Sequence, residues 1–170
     1  YYQPKLEHTG KVSGAEALIR WHHPVFGEIP PSIFIPIAEE NNQIHSLGLW
    51  IIERCFKDMN MMDRSHGFTG IPIAINVSPI QLSSAHFLQA IQKRIAHYNI
   101  DPTRIELEIT EGHQLRLTDK LIQDLQVLAK MGVRIAVDDF GMGHTSLHYL
   151  KSFPVHTIKI DGSIIKDVSN

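Results

Sequence analysis

Cysteine is nearly absent from this sequence. The chain of 170 residues contains one cysteine, Cys55, so no internal disulfide can hold it together. Cys55 lies inside a stretch with helical periodicity, and this position favours a buried, unreactive thiol over a nucleophile. A fold without disulfides is typical of a reducing compartment. We therefore expect a cytoplasmic location, either in a cytoplasmic protein or in the cytoplasmic domain of a membrane-bound one.

Long apolar runs and an excess of one charge are also missing. The longest purely apolar run, Leu49-Trp50-Ile51-Ile52, is far shorter than the roughly 20 residues that cross a bilayer. Lys and Arg number 16, Asp and Glu number 18, and the net charge is −2. This balance predicts no contact with a nucleic acid polymer or a membrane surface. No glycine-rich fingerprint follows a predicted strand, which argues against a dinucleotide-binding fold.

Two adjacent aspartates, Asp138 and Asp139, stand at the end of an apolar segment that begins at Arg134. Their carboxylates repel each other and lose solvation where a buried strand ends. A divalent cation with oxygen ligands would neutralise both. The alternative is a solvated turn in which Asp139 caps the next helix. These residues alone do not decide between the two.

Polar residues recur near the ends of the other predicted strands. Residues 104–111 alternate strictly, and Glu106 and Glu108 share one face. Such a face is exposed in an open sheet, but in a closed barrel it lines the interior. Alternating strands and helices predict a parallel sheet, and polar residues at successive strand ends are typical of a (β/α) barrel. The residues at or near these strand ends are Glu16, Asn76, Glu108, Asp138, Asp139 and Lys159.

Apolar periodicity and capping residues predict the remaining elements. Glu16 lies among small and apolar residues, so it needs a cation or a partner, and the simplest partner is Arg20. Ser32 is predicted to cap a short helix, and the proline- and glycine-rich residues 22–31 are predicted to form a loop. Strands are predicted over 2–6, 12–21, 71–78 and 154–161. Helices are predicted over 47–62, from a cap at Ser84 onward, and from a cap at Thr118 to an end at Gly132.

Seven ordered motifs resemble the EAL family, whose name is the tripeptide Glu16-Ala17-Leu18. They occur in the family's order and spacing and cover essentially the whole chain. The motifs are Tyr2-Gln3-Pro4-Lys5, Glu16 to Pro24, Phe34 to Glu40, Asn76-Val77-Ser78, Glu106 to Glu111, Asp138-Asp139-Phe140-Gly141 and Lys159-Ile160-Asp161.

The resemblance implies both a fold and an activity. The fold is a modified TIM (β/α) barrel, an α/β class, in which one strand runs antiparallel. The activity is a cyclic di-GMP phosphodiesterase of bacterial second-messenger signalling, which hydrolyses cyclic di-GMP to linear pGpG. Two divalent cations, Mg²⁺ or Mn²⁺, would activate the attacking water. The implied partners are cyclic di-GMP, a second copy in a homodimer, and other sensory or cyclase domains of the parent protein.

The resemblance also assigns roles to individual residues by their place in the motifs. Lys159 contacts the attacking water, and Glu111 steadies the loop that follows the aspartates. Arg20 contacts a phosphate, and Gln3 and Leu18 also contact the nucleotide. The implied metal ligands are Glu16, which is counted among the catalytic residues too, and Asn76, Glu108, Asp138 and Asp139, the last at the second metal.

The sequence departs from the family pattern in three places, one of which is Gly162, where the family commonly has a basic residue. The loop after Asp139 commonly reads Gly-Thr-Gly-Tyr-Ser-Ser, whereas here Met142 and His144 replace the threonine and the tyrosine. Met142 lacks the hydroxyl that would bond toward Glu111. The family barrel also continues beyond about the sixth strand, so residues 1–170 are expected to be a partial EAL domain without the C-terminal strands and the preceding N-terminal helix.

Two other hypotheses stay open. One is a non-catalytic EAL module that acts as a cyclic di-GMP receptor or a protein-interaction domain. The other is an unrelated metal-dependent hydrolase on the same barrel. The sequence also leaves open whether the isolated 170-residue chain is active.

Overall fold

The computed structural model describes residues 1–65, 69–110, 118–141 and 153–164. None of the helices in these ranges is long and apolar enough to cross a membrane. The strands are β1 Tyr2–Leu6, β2 Val12–Ala17, β3 Trp21–His23, β4 Gly27–Ile29, β5 Ile73–Val77, β6 Ile105–Thr110, β7 Arg134–Phe140 and β8 Thr157–Ile160. The α-helices are α1 Pro31–Glu40, α2 Ile44–Asp63, α3 Pro79–Leu82, α4 Ala85–Tyr98 and α5 Asp119–Met131.

The main sheet of the described chain is curled into half of a barrel. It has six strands in the order β1-β2-β5-β6-β7-β8. β1 runs antiparallel to β2, and every other neighbouring pair is parallel. This confirms the predicted modified (β/α) barrel, including the antiparallel strand. The carboxyl ends of the parallel strands therefore meet at one rim, where such folds place their functional groups.

The apolar core lies between the outer face of this sheet and the helices. The alternation along β6 is confirmed, because Ile105, Leu107 and Ile109 are each at most 1% exposed and belong to the core. Phe56 of α2 and Ile91 of α4 pack in the same cluster, and both are 0% exposed. Burial of such apolar surface is the dominant favourable contribution to folding.

The ends of α5 follow the predicted capping residues. The Thr118 hydroxyl oxygen accepts a hydrogen bond from the Leu121 N–H at 3.2 Å, which satisfies a backbone donor at the helix start. Gly132 ends the helix with a φ of 109°, a left-handed conformation that favours glycine. The cap predicted at Ser84 is wrong, because Ser84 precedes α4 but its side chain makes no capping hydrogen bond.

Two other local predictions are wrong. Residues 22–31 do not form a plain loop, because β3 and β4 pair there as a short antiparallel hairpin. The proline and glycine residues around these three-residue strands obscure them in the sequence. Ser32 does not cap α1, which begins at Pro31 after Pro30. Proline suits this position because a helix does not use the first N–H groups internally.

We expect Leu125→Ala in α5 to lower the free energy of unfolding by about 2–5 kcal/mol, because a core leucine leaves a cavity when it is truncated. Leu125 is 0% exposed and belongs to the core cluster. The matched control is Val127→Ala in the same helix, at a position 46% exposed, for which a change within about 0.5 kcal/mol is expected. Urea unfolding measures both, and equal losses would contradict the assignment of the core face.

An ion pair joins the end of α2 to the start of β6, with Arg104 Nη1 2.6 Å from Asp63 Oδ2. The hydrogen bond from Arg104 lowers the pKa of Asp63. A lowered carboxyl pKa stabilises the fold above the ordinary Asp pKa of about 3.9, and this stability is lost as the pH falls through the folded-state pKa. Asp63→Asn should therefore cost about 1 kcal/mol at pH 7 and nothing once Asp63 is protonated in the parent. Unfolding of the parent and the variant at pH 7 and at a pH where Asp63 is protonated tests this. A loss of stability that does not depend on pH would contradict it.

Candidate active site

Polar residues from four strands converge on the inner face of the sheet, near the rim. In the strand register Asn76 lies opposite Glu108, and Thr110 lies opposite Asp138. Glu16, near the end of β2, joins the group because Asn76 Nδ2 donates a hydrogen bond to Glu16 Oε1 at 2.8 Å. Side chains alternate along a strand, so the residues between the core positions must face the inside of the half-barrel.

The ammonium group of Lys159 lies among these carboxylates. Its Nζ is 2.6 Å from Asp138 Oδ2, 3.0 Å from Glu108 Oε2 and 3.9 Å from Glu16 Oε2. Burial lowers the pKa of Lys159, but its hydrogen bond to Asp138 and the negative charge of Glu108 raise it more, and the net pKa lies above its usual value. Lys159 is therefore charged at neutral pH, and a cation already occupies the point where three carboxylates meet.

Glu108 is the most enclosed member of the group. Its side chain is 0% exposed, and an ammonium group faces each of its oxygens. Lys5 Nζ donates a hydrogen bond to Oε1 at 2.7 Å, and Lys159 lies on the side of Oε2. The Lys159 contact lies outside hydrogen-bond geometry, so within the described chain Oε2 has a counter-charge but no hydrogen-bond donor. Such compensation offsets the cost of burying a charge this deeply.

The sequence interpretation missed Lys5 and the charged contacts that it makes with Glu106 and Glu108. Lys5 Nζ also lies 2.9 Å from Glu106 Oε1. Glu106 Oε2 accepts hydrogen bonds from Arg134 Nε at 3.4 Å and from Thr157 Oγ1 at 3.3 Å. The sequence signal for Lys5 is the alternation along β1, which places Lys5 on one face of the strand. Only the position of β1 in the curled sheet shows that this face is the inner one.

The two aspartates lie in a distorted end of β7. Asp139 has a φ of 53°, which is uncommon for a residue other than glycine, and its N–H donates to Asp138 Oδ1 at 2.9 Å. The pairing with β8 changes register between Val137 and Phe140. Burial and the nearby charges of Asp138 and Asp161 raise the pKa of Asp139. Asp138 thus joins the carboxylate group, whereas Asp139 is exposed beside it.

A cavity of about 240 Å³ borders this cluster of polar side chains at Asn76. Leu18 and Arg20 also line the cavity. Arg20 Nε lies 3.6 Å from Glu28 Oε1 in the hairpin. Glu16 instead accepts its hydrogen bond from Asn76. The alternative of a Glu16–Arg20 ion pair is therefore not what the structure has. Arg20 thus lines the cavity, and its ion pair with Glu28 is exposed to solvent.

The other predicted residues lie apart from the group or outside the described ranges. Gln3 is exposed on β1, where it lies opposite Glu16 in the register. Glu111, Met142 and His144 lie outside the described residues, so the roles predicted for them and for their loop stay predictions.

The donor set of this group fits a hard divalent cation. Glu16, Glu108 and Asp138 offer carboxylate oxygens and Asn76 an amide oxygen, the ligand types that Mg²⁺ and Mn²⁺ prefer. Glu108 Oε2 is a buried oxygen without a hydrogen-bond donor in the described ranges. As these side chains stand, no three His, Cys, Asp or Glu residues of the described chain are gathered tightly enough to hold a metal. A cation held by these oxygens would therefore take the place of the Lys159 ammonium group, with the carboxylates closer together than they stand here.

The family model described as "EAL domain" matches residues 1–170. The chain is 41% identical over 169 residues to an uncharacterized signaling protein of Caulobacter vibrioides, covering 99% of this chain and 20% of that protein. It is 36% identical over 172 residues to the bifunctional diguanylate cyclase/cyclic di-GMP phosphodiesterase MucR of Pseudomonas aeruginosa, covering 100% of this chain and 25% of that protein. The solved structure of PaMucR phosphodiesterase in a c-di-GMP complex has a TM-score of 0.86 at 35% identity, over 99% of this chain and 68% of that one.

These similarities agree with the half-barrel fold. The chain spans about a fifth to a quarter of the length of these two curated relatives. The family match covers every residue, and it coincides with the seven ordered motifs. This chain belongs to the EAL domain family.

Proposed function

We propose that this chain hydrolyses cyclic di-GMP to linear pGpG, with divalent cations, as the EAL domain of a bacterial signalling protein. Family membership supports this activity, and so does MucR, which is named a cyclic di-GMP phosphodiesterase. The observation that carries the proposal is the meeting of the Glu16, Glu108 and Asp138 carboxylates around one cationic position, with Asn76 beside them.

The carboxylates and Asn76 would hold the cations. Glu16, Asn76, Glu108 and Asp138 are the proposed ligands of one Mg²⁺ or Mn²⁺, and Asp138 with Asp139 would serve a second. Such cations make water acidic enough to attack near neutral pH and offset charge that builds on the phosphate.

Lys159 and Arg20 supply the remaining positive charge. A short withdrawal from Asp138 leaves Lys159 beside the group as a hydrogen-bond donor, where it orients the attacking water. The Arg20 guanidinium matches the geometry of phosphate oxygens, and its exposed contact with Glu28 is easily exchanged because such pairs are weak. Gln3 and Leu18 would contact the nucleotide. Hydrolysis joins the water oxygen to phosphorus and leaves a proton on the released ribose oxygen, which opens the ring.

The parent protein is also part of the proposal. The curated relatives extend well beyond the matched segment, and MucR is named as a cyclase as well. We propose that sensory or cyclase domains accompany this one, that the protein forms a homodimer, and that it works in the cytoplasm. For Glu111 we propose the loop-steadying role that its motif implies.

A cyclic di-GMP receptor without catalysis is the second candidate. The observation in its favour is Lys159, whose ammonium group offsets part of the negative charge of the Glu108 and Asp138 carboxylates. A receptor would bind the nucleotide in the same cavity and leave it intact.

We expect Asp138→Asn to lower Mn²⁺-dependent turnover of cyclic di-GMP by at least about 100-fold, because it removes the charge of a proposed metal ligand. Even substitution of a residue that only hydrogen-bonds to a metal ligand lowers metal affinity or activity roughly 10- to 100-fold. Turnover of cyclic di-GMP by the full-length protein is followed chromatographically. The matched control is Asp124→Asn in α5, where Asp124 pairs with Lys120 of the same helix and not with a residue of the proposed site, and its turnover should match the parent.

The outcomes separate the two candidates. Equal turnover by Asp138→Asn and Asp124→Asn would contradict the proposed site. Binding of cyclic di-GMP by the parent protein without any turnover in Mn²⁺ would favour the receptor.

A further inference from the structure

Lys5 reaches the interior of the half-barrel from the antiparallel strand β1. Its Nζ lies 2.7 Å from Glu108 Oε1 and 2.9 Å from Glu106 Oε1. The Glu108 side chain is 0% exposed, whereas that of Lys5 is 32% exposed. Lys5 thus links the carboxylates of Glu106 and Glu108.

The two oxygens of Glu108 face different surroundings. Oε1 is held by Lys5 from within the half-barrel. Oε2 faces Lys159 and accepts no hydrogen bond in the described chain. A carboxylate held at one oxygen by a charged donor can turn only at the cost of that strong hydrogen bond. The fixed oxygen therefore determines where the other one points.

Glu106 does not depend on Lys5 in the same way. Its second oxygen has its own donors, Arg134 Nε at 3.4 Å and Thr157 Oγ1 at 3.3 Å. Loss of Lys5 thus leaves Glu106 with partners but removes the hydrogen bond to Glu108 Oε1. The effect should concentrate on Glu108.

We propose that Lys5 is a positioning residue, which fixes the Glu108 carboxylate so that Oε2 is presented to a cation bound at the rim. This inference rests on the proposed function, because it takes Glu108 as a metal ligand. It assigns Lys5 no contact with the nucleotide.

Electrostatics alone predicts the opposite effect on metal affinity. Lys5 is a positive charge in the same interior, and like charges several ångströms apart inside a protein repel each other. If Lys5 acted only through its charge, its removal would strengthen cation binding. A positioning role predicts weaker binding, so the sign of the change distinguishes the two.

The test is Mn²⁺ binding to the full-length protein without nucleotide, from the electron paramagnetic resonance signal of free Mn²⁺. We expect Lys5→Met to weaken binding roughly 10- to 100-fold and Lys5→Arg, which keeps the charge and the donors, to stay within about threefold of the parent. Lys120→Met, at an exposed lysine of α5, should leave the affinity unchanged. Thermal unfolding checks that each variant is folded. If Lys5→Met does not fold, Lys5→Gln replaces it with the same expected loss.

Four results decide the matter. Weaker binding in Lys5→Met with recovery in Lys5→Arg supports the positioning role. Equal or tighter binding in Lys5→Met overturns it while the proposed function stands, provided that Glu108→Gln loses Mn²⁺ binding. An affinity in Lys5→Arg as low as in Lys5→Met also overturns it, because a packing defect then explains both. Absence of Mn²⁺ binding in the parent protein overturns the proposed function, and the role of Lys5 with it.

Discussion

The buried carboxylate of Glu108 and its two ammonium partners impose the main constraint on the inner face. Lys5 comes from β1 and Lys159 from β8, the opposite ends of the described sheet. Both can reach the same side chain of β6 only because the sheet curls. A fully buried carboxylate without counter-charge costs several kcal/mol, so the curvature and the charge compensation depend on each other.

The two faces of the sheet divide stability from function. The outer face carries Ile105, Leu107 and Ile109, whose burial against the helices supplies the driving force for folding. The inner face can then hold repelling carboxylates that a fold would not tolerate without this support. The same alternation along β6 that sends the isoleucines outward sends Glu106 and Glu108 inward.

Lys159 gives the acidic rim a cation of its own. Its ammonium group offsets the mutual repulsion of the Asp138 and Glu108 carboxylates, so these proposed metal ligands can lie close together. In the proposed function this contact is competitive, because a metal would have to displace the ammonium group before it contacted the same oxygens. Lys159 would then remain nearby as a hydrogen-bond donor, which suits the proposed orientation of water.

Local pattern determined the strands and helices, the capping of α5 by Thr118 and the polar strand ends such as Asn76 and Asp138, because backbone preference and side-chain alternation act over a few residues. It failed for the short β3–β4 hairpin, where proline and glycine obscure the alternation. Tertiary structure alone decided that Lys5 meets Glu106 and Glu108, which are 101 and 103 residues away along the chain. A contact between distant strands depends on sheet order and curl, and these arise from packing of the whole chain rather than from any one segment.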